Sequence, residues 1–321
     1  MFVRPLKEIP CHSHVTLRVS HYMGRIAGRR HQHQSSSSYV PKHLPAKEED
    51  IEKLDRLMAV SKNLVVLTGA GISTESGIPD YRSEGVGLYA RSTNRPVQYR
   101  DFLKSESARK RYWARNYVGW PRFSSFEPNA THLSISKLVN EEGVVRSVVT
   151  QNVDSLHIKA KTKNVIELHG SAFRVVCLGC TFTIERHAFQ NLLTQLNPEM
   201  QIVQQTMRPD GDVEMNQEQV EGFNVPSCPS CKGLLKPDIV FFGDNVPKDR
   251  VEAVRNEVKL CDGLLVLGTS LTVFSAYRIV LQAAELHKSI AIVNIGETRG
   301  DKLASIKISA KCGDVIPQLC R

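Results

Sequence analysis

The 321-residue chain lacks any apolar run that approaches the roughly 20 residues needed to cross a bilayer. Acidic side chains are almost absent from the first 46 residues, where Glu8 stands against seven arginines and lysines. The same segment lacks the continuous apolar core of a secretory signal. These absences argue against a membrane-spanning or secreted protein, and we expect no membrane partner.

Basic residues are concentrated at the N-terminus rather than spread over the chain. The formal net charge is +9, and most of this excess lies in the first 46 residues. A nucleic-acid-binding protein needs basic side chains clustered on its folded body. We therefore expect no nucleic-acid partner.

The first 40 residues have the composition of a mitochondrial transit peptide. They are rich in arginine and serine, and residues 35–38 are consecutive serines. Four apolar residues fall on one helical face, as in an amphipathic presequence: Val15, Val19, Tyr22 and Ile26. The pattern predicts import into the mitochondrial matrix; a disordered basic tail is the alternative interpretation.

Eight cysteines without a secretory signal fit a reducing compartment. Four of them form two Cys-x-x-Cys pairs, Cys177 with Cys180 and Cys228 with Cys231. Zinc prefers four thiolates in a tetrahedron, and each such turn presents two sulfurs to one ion. We predict one structural zinc ion, with no open position for catalysis; redox-active dithiols and an iron–sulfur cluster are the competing interpretations.

Short apolar strands alternate with helices outside the cysteine region. We predict strands at 64–67, 144–150, 165–168, 263–268 and 290–294, and helices at 48–61, 131–140, 251–260 and 275–287. This alternation indicates a parallel sheet covered on both faces. The predicted fold class is α/β, with a Rossmann-like domain at 48–170 and 238–321 and an inserted zinc-ribbon module at 171–237.

Three smaller predictions complete the organisation of the folded region, residues 41–321. Residues 41–47 contain two prolines and are interpreted as a linker. Thr131 is the expected cap of the helix at 131–140. The polar residues 208–222 are interpreted as an exposed loop.

Small and polar residues follow three of the predicted strands, at 69–71, 268–270 and 294–296. In open parallel sheets, ligands bind at the carboxyl ends of the strands, where glycines let the backbone approach a pyrophosphate. The next glycine, Gly77, is too distant for the usual G-x-G-x-x-G fingerprint, so the first turn alone is also consistent with a plain tight turn. Together the three strand ends predict a nucleotide site.

His169 follows the strand at 165–168, and Gln151, Asn152 and Asp154 follow the strand at 144–150. A lone histidine at a strand end is more often structural, although its pKa suits a general base. The amide and carboxylate side chains could bind a ribose or amide, or cap the next helix.

Taken in order, these elements resemble the sirtuin family. The resemblance rests on residues 69–73, 77–82, 150–154, 168–170 and 268–270 and on the two cysteine pairs, and it spans residues 48–316. Residues 73–76, 81–84, 111–121 and 210–213 are similar to the mitochondrial class II branch of that family.

The resemblance implies an NAD-dependent protein lysine deacylase that cleaves the nicotinamide–ribose bond and transfers the acyl group to ADP-ribose. His169 would be the catalytic general base. The implied cofactor-binding residues are Ala70, Gly71, Ile72, Ser73, Ile78, Pro79, Asp80, Tyr81, Arg82, Tyr89, Gln151, Asn152, Val153, Asp154, Gly268, Thr269, Ser270, Asn294, Ile295, Gly296 and Cys312.

Two further groups are implied to bind the acylated substrate. Val240, Phe241, Phe242 and Gly243 would pair with its backbone as an added strand. Tyr112 and Arg115 lie three residues apart, so a helix would project them to one side. Arg115 could then hold the carboxylate of a methylglutaryl-type acyl group; an internal salt bridge or a solvated arginine is the alternative.

Lipoyl, biotinyl and methylglutaryl groups are the implied acyl classes, with weak deacetylation. The implied partners are acylated lysines of mitochondrial metabolic enzymes, namely dehydrogenase complexes and glutamate dehydrogenase. A mono-ADP-ribosyltransferase acting on such enzymes and a non-catalytic NAD sensor are the alternatives. A dehydrogenase is disfavoured because the standard dinucleotide fingerprint is missing.

Overall fold

The computed structural model describes residues 39–93, 95–200, 207–213, 215 and 220–320. The predicted transit peptide therefore lies outside the described residues, except for its last two positions. The strands are β1 Leu64–Thr68, β2 Val145–Thr150, β3 Val165–Glu167, β4 Gly170–Cys177, β5 Thr183–Glu185, β6 Leu235–Ile239, β7 Gly263–Leu267, β8 Ser289–Val293 and β9 Ile306–Ile308. The α-helices are α1 Glu48–Val60, α2 Leu88–Arg91, α3 Tyr99–Lys104, α4 Glu106–Ser124, α5 Ala130–Asn140, α6 Leu156–Lys159, α7 Arg186–Leu196, α8 Lys248–Leu260, α9 Phe274–Glu285 and α10 Cys312–Val315. Short 3-10 helices cover Ala70–Ser76, Asp301–Leu303 and Ile316–Leu319.

The main sheet has six parallel strands in the order β3-β2-β1-β7-β8-β9. Strand β1 is buried along its whole length, which explains why its sequence is apolar on both faces. Leu64 and Val66 face a core formed with α1 and α5, whereas Val65 and Leu67 face a core formed with α8 and α9. The predicted α/β class with a covered parallel sheet is confirmed.

A second sheet has three antiparallel strands in the order β5-β4-β6. It carries the cysteine pairs and packs with α4 and α7 around a third core, in which Trp113, Trp120 and Phe189 are fully or almost fully buried. Strand β4 begins only three residues after the end of β3. The small sheet therefore adjoins the main sheet at the carboxyl end of β3.

The predicted strands and helices are all present, with ends that agree or differ by at most three residues. The largest difference is at α8, which begins at Lys248 instead of at the first apolar residue, Val251. Polar residues can fill a first helical turn, because its backbone N–H groups face solvent or a cap rather than the core. None of the described helices has the length and apolar content needed to span a bilayer.

Two local predictions were wrong. The cap of α5 is Asn129, whose Oδ1 accepts from the backbone N–H of Thr131 at 3.0 Å, while Thr131 itself is fully buried inside the helix. The exposed loop predicted at 208–222 is wrong for residues 208–213, where Arg208 and Asp212 are only 2% and 3% exposed, whereas Glu221 and Gly222 are exposed. Ion pairing explains this burial, because Asp212 lies 3.4 Å from Arg208 and 3.0 Å from Arg115 of α4.

Candidate active site

The loops after β1 and β7 are bonded directly to each other at one edge of the main sheet. The N–H of Gly71 donates to the carbonyl of Gly268 at 2.8 Å, and Gly69 donates to Leu267 at 3.1 Å. A Cβ atom on Gly71 would lie 2.7 Å from the Gly268 oxygen, so any larger residue would push the loops apart. Gly268 has φ +58°, in the left-handed region that glycine adopts at little cost.

A cavity of about 800 Å³ opens over these loops, and we call it the glycine-rich cavity. Thirteen of the residues predicted to bind cofactor line it: Ala70, Gly71, Asp80, Tyr81, Arg82, Gln151, Gly268, Thr269, Ser270, Asn294, Ile295, Gly296 and Cys312. Nothing lies within 4 Å of the position that a Cβ on Gly296 would take, so this wall is open towards the cavity. Its size and its lining at the carboxyl ends of parallel strands fit a dinucleotide.

A second cavity of about 490 Å³ adjoins the first, and we call it the histidine cavity. Ala70, Tyr81, Arg82 and Gln151 line both cavities. The remaining predicted residues in the histidine cavity are Ile78, Tyr112, Asn152, Val153, Asp154, His169, Val240, Phe241, Phe242 and Gly243. The structure therefore places most of the implied cofactor and substrate residues around two adjoining cavities.

A buried polar network joins the two cavities beneath their shared residues. Ser73 donates to the Asp154 carboxylate at 2.7 Å, and the Asn152 amide donates to the Ser73 hydroxyl and to the Gly69 carbonyl, both at 3.1 Å. Burial raises the pKa of Asp154, against the lowering effect of hydrogen bonds from the Leu156 N–H and Ser73. The network fixes the loop after β1 to the loop after β2.

Four predicted cofactor residues line neither cavity. Ile72 is fully buried in the core beneath the main sheet, and Ser73 acts through the network just described. Pro79 is buried, and the Tyr89 ring packs 5.9 Å from Tyr81 with the Arg82 guanidinium 5.3 Å from its centroid. These residues support the lining residues instead of forming the surface.

His169 presents one ring nitrogen to the histidine cavity. Its Nδ1 lies 3.1 Å from the Gln151 carbonyl, which can only accept, so Nδ1 carries the proton. Its Nε2 therefore has a free lone pair, which accepts from the Ser275 hydroxyl at 2.8 Å. Burial lowers the pKa of His169 to about 4, with Arg250 lowering it further and the hydrogen bond to Gln151 opposing the shift. The imidazole is neutral at pH 7 and can act as a base through Nε2.

The aromatic side chains of Tyr112 in α4 and of Phe241 just after β6 form the far wall of the histidine cavity, and Phe102 of α3 packs behind them. Tyr112 packs against Phe241 at 5.0 Å and against Phe102 at 5.7 Å between ring centroids. Pro209 and Asp210, from the segment between β5 and β6, also line this wall. The wall is apolar apart from Tyr112 and Asp210.

Arg115 does not line the cavity, contrary to the prediction that it shares a substrate site with Tyr112. Its Nε lies 3.0 Å from the Asp212 carboxylate and also donates to the Val213 carbonyl. Residues three apart on a helix point in directions that differ by about 60°. Tyr112 therefore lines the cavity, while Arg115 points towards the 207–213 segment. Burial raises the pKa of Asp212 to about 7, while Arg115 opposes the shift. The alternative interpretation, an internal salt bridge, describes Arg115 in this structure.

The four paired cysteines form one cluster at the tip of the small sheet. Cys177 and Cys231 lie 3.4 Å apart at sulfur, Cys180 and Cys228 lie 3.7 Å apart, and all four sulfurs lie within 4.8 Å of one another. A zinc ion with four thiolate ligands at about 2.3 Å requires sulfurs about 3.8 Å apart. The donor set and its spacing fit one tetrahedral zinc ion.

The model of the family described as "Sir2 family" matches residues 69–275, which include both cavities and the cysteine cluster. The chain belongs to the Sir2 family, the sirtuins. The match ends at Ser275, the residue that holds the Nε2 of His169.

Individual sirtuins match over most of their length. "NAD-dependent protein deacylase Sirt4" of Drosophila melanogaster is 59% identical over 281 residues, covering 88% of this chain and 90% of the fly protein. "NAD-dependent protein lipoamidase sirtuin-4, mitochondrial" of Homo sapiens is 50% identical, covering 87% of this chain and 88% of the human protein. A Sir2 homologue solved as an ADP-ribose complex superposes with a TM-score of 0.66 at 30% identity, covering 84% of this chain and 95% of that one.

Several residues at this sirtuin site were missed by the sequence analysis. Ser275 is the second residue of α9, five residues after Ser270. Only the folding of the loop between β7 and α9 brings its hydroxyl to His169. Asp210 was assigned to an exposed loop. Val40, Pro41 and Lys42 line the glycine-rich cavity although they precede every matched motif. No local pattern marks these residues, because their role depends on contacts distant in sequence.

Proposed function

We propose that this sirtuin is an NAD-dependent protein lysine deacylase of the Sirt4 type that acts in the mitochondrial matrix. The observation that carries the proposal is the position of His169, whose Nε2 accepts from Ser275 at the histidine cavity and whose Nδ1 donates to the carbonyl of Gln151, a residue that lines both cavities. Fly and human relatives that match most of this chain are named a deacylase and a lipoamidase. The proposed catalytic body is residues 41–321, with the zinc module at 171–237.

NAD would lie across both cavities. Backbone at Gly71, Gly268 and Gly296 would receive its adenosine and phosphate groups, and Gln151, Asn152 and Asp154 would hold its nicotinamide side. When bound, NAD supplies an electrophilic ribose carbon from which nicotinamide can leave.

His169 would remove a proton from a ribose hydroxyl through Nε2. Two features prepare it for this role: the hydrogen bond from Nδ1 to the Gln151 carbonyl fixes the tautomer, and burial keeps the ring neutral. A ribose hydroxyl that enters this site would replace the Ser275 hydroxyl as the donor to Nε2. General-base catalysis of this kind contributes about 10²- to 10⁴-fold in rate.

The acylated lysine would enter between the end of β6 and the start of α9. The N–H of Val240 is already bonded to the His169 carbonyl at 2.8 Å, and the Phe242 carbonyl accepts from Tyr99 at 2.9 Å. A substrate strand would therefore have to pair with the other backbone groups of residues 240–243. We propose acylated mitochondrial metabolic enzymes, including dehydrogenase complexes and glutamate dehydrogenase, as the source of this strand.

Lipoyl and biotinyl groups suit the far wall better than acidic acyl groups do. They are uncharged, and the wall is made of Tyr112, Phe241 and Pro209. A methylglutaryl carboxylate would meet Asp210 and would find Arg115 engaged with Asp212. We propose that methylglutaryl-lysine is bound only when Arg115 exchanges Asp212 for the carboxylate of the substrate.

The test is nicotinamide release from NAD by the full chain with lipoyl-, biotinyl-, methylglutaryl- and acetyl-lysine peptides. We expect peptide-dependent release, which His169→Asn lowers about 10²- to 10⁴-fold. His287→Asn, at an exposed histidine, is the matched control. Arg115→Ala should lower release with the methylglutaryl peptide more than with the other three, since it also removes a contact of the 207–213 segment that every peptide meets at the far wall.

Three outcomes would contradict parts of this proposal. Equal losses on all peptides in Arg115→Ala would remove the acid-binding role of Arg115. ADP-ribose left on an acceptor protein, with no deacylated peptide, would identify a mono-ADP-ribosyltransferase instead. Binding of NAD without release in the presence of any peptide would favour a sensor.

A further inference from the structure

The segment at residues 39–43 lies against the sirtuin body on the side of the glycine-rich cavity, and we call it the N-terminal strap. Three consecutive residues of the strap, Val40, Pro41 and Lys42, line that cavity. The strap precedes the first helix and every element on which the family resemblance rests. Its sequence was interpreted as the end of a presequence and the start of a linker.

Both ends of the strap are anchored to elements that border the cavity. At one end, the Arg91 guanidinium of α2 lies 4.9 Å from the ring centroid of Tyr39. At the other end, His43 Nε2 lies 3.3 Å from the Asp314 carboxylate of α10, and its Nδ1 lies 3.0 Å from the Pro41 carbonyl. The strap therefore links α2, which follows the loop at residues 80–87, to α10, which begins at Cys312.

The part of the strap between the anchors brings positive charge to the cavity. Lys42 lies on the cavity wall together with Lys311, whose ammonium is held by Asp314 at 3.0 Å and Glu75 at 3.4 Å. Lys311 is thus partly neutralised by two carboxylates, whereas Lys42 is exposed at the mouth. Pro41 fixes its own φ and restricts the residue before it, which stiffens the chain at this wall.

We propose that the N-terminal strap is part of the dinucleotide site and that Lys42 binds the adenosine-diphosphate half of the cofactor. The inference rests on the proposed function, since it assigns a wall to the same site. The ligand class is set by position and charge: the strap lines the glycine-rich cavity together with Ser270, Asn294 and Gly296, none of which lines the histidine cavity that holds His169, and an ammonium there favours an anionic ligand. A mature chain that begins after residue 43 would lack this wall.

The test is calorimetric binding of ADP-ribose and of nicotinamide to the full chain, which requires no turnover. Lys42→Glu should weaken ADP-ribose binding about tenfold at low salt, and less at high salt, because the charge reversal replaces attraction with repulsion. The double variant Tyr39→Ala with His43→Ala, which releases both anchors, should weaken ADP-ribose binding in the same direction. Lys47→Glu makes the same charge change just before α1, outside both cavities, and should leave binding unchanged.

Each outcome bears on the strap or on the wider proposal. If the two strap variants bind ADP-ribose as tightly as Lys47→Glu does, the proposed role of the strap would be overturned and the proposed function would stay intact. Equal weakening of ADP-ribose and nicotinamide would also overturn it, because a wall at the adenosine end cannot act on both. Failure of the unaltered chain to bind ADP-ribose would instead overturn the proposed function. Thermal unfolding of each variant separates lost binding from lost folding.

Discussion

The two cavities of this sirtuin are built in different ways. The glycine-rich cavity includes the turns at the ends of β1, β7 and β8, and short local patterns predicted these turns as site residues. The far wall of the histidine cavity is formed by side chains from α4, the end of β6 and the 207–213 segment. A turn at the end of a strand is determined by a few adjacent residues, whereas a cavity wall made of side chains depends on which distant segments pack together.

The contact between α4 and the 207–213 segment shows this dependence most clearly. A Cβ on Gly119 would overlap the carbonyl oxygen of Gly211, so the two backbones touch directly. Asp212 and Val213 then bond to Arg115, one turn earlier on α4. This contact places Asp210 on the cavity wall and removes Arg115 from it.

The largest effect on this comparison is expected from removal of zinc, because the cysteines share a core with Tyr112 and Phe241 of the far wall, whereas the glycine-rich cavity includes the ends of β1, β7 and β8. Cys228→Ser deletes one of four thiolates from a cluster whose geometry requires them all, so we expect loss of the bound zinc and of cooperative unfolding in the module. Peptide binding should be lost while ADP-ribose binding persists. Metal content, thermal unfolding and both affinities are the measurements.

Cys261→Ser is the matched control for this change. Cys261 is a buried free cysteine at the end of α8, remote from the cluster. If Cys228→Ser retained one zinc per chain and normal unfolding, the assignment of that zinc to four cysteine thiolates would be ruled out. If Cys228→Ser weakened ADP-ribose binding and peptide binding equally, both cavities would depend on the cysteine cluster.

A pair of glycine substitutions should separate the two cavities. Gly71→Ala places a Cβ 2.7 Å from the Gly268 oxygen and should raise the KM for NAD. Gly119→Ala should raise the KM for the acylated peptide, because it pushes Gly211 and its neighbours away from α4. Overpacking of this kind costs about 1–3 kcal/mol, even though alanine is the better helix former at position 119.

The expected pattern is a crossed one, with each variant raising one KM and leaving the other near that of the unaltered chain. Gly222→Ala provides the control, since nothing lies within 4 Å of the position that its new methyl group would take and Gly222 lines neither cavity. Variants that each raised both constants equally would show that the far wall and the glycine-rich edge move together.

The smallest expected effect is a pH dependence of the free energy of unfolding that comes from one buried histidine, His157. His157 is buried beside Thr68, with its Nε2 3.1 Å from the threonine hydroxyl, and burial lowers its pKa to about 4. Above pH 6.5 the ring is neutral in both states. As the pH falls from 6.5 towards 4, only the unfolded chain gains the proton, so the free energy of unfolding decreases, by about 2 kcal/mol at pH 5.

His157→Asn should lose less stability than the unaltered chain when the pH falls from 7 to 5. Urea unfolding at the two pH values measures the difference, and His287→Asn at an exposed position is the control. An unchanged difference between pH 7 and pH 5 in His157→Asn would show that this histidine is not the source of the acid sensitivity.

Much of the fold was predictable because its signals are local. Continuous apolar runs at 64–67 and 263–268 identified central parallel strands, and the cysteine pairs identified the metal cluster. The α5 cap was mispredicted by two residues, since Asn129 and Thr131 are both good capping residues and only the tertiary fold buries Thr131. Of the residues that line the two cavities, those at the strand ends were predicted from sequence, while Ser275 and the strap were not.

The sequence by itself predicted the parallel sheet, the glycine turns at its edge and the four-cysteine cluster, because each is signalled by short local patterns: apolar runs, glycines after a strand and Cys-x-x-Cys pairs. Tertiary structure alone decided which ring nitrogen of His169 faces the cavity, that Arg115 pairs with Asp212, and that residues 39–43 border the glycine-rich cavity. The physical reason is range: backbone conformation follows from neighbouring residues, whereas ion pairs, tautomers and cavity walls depend on groups that only folding brings within a few ångströms.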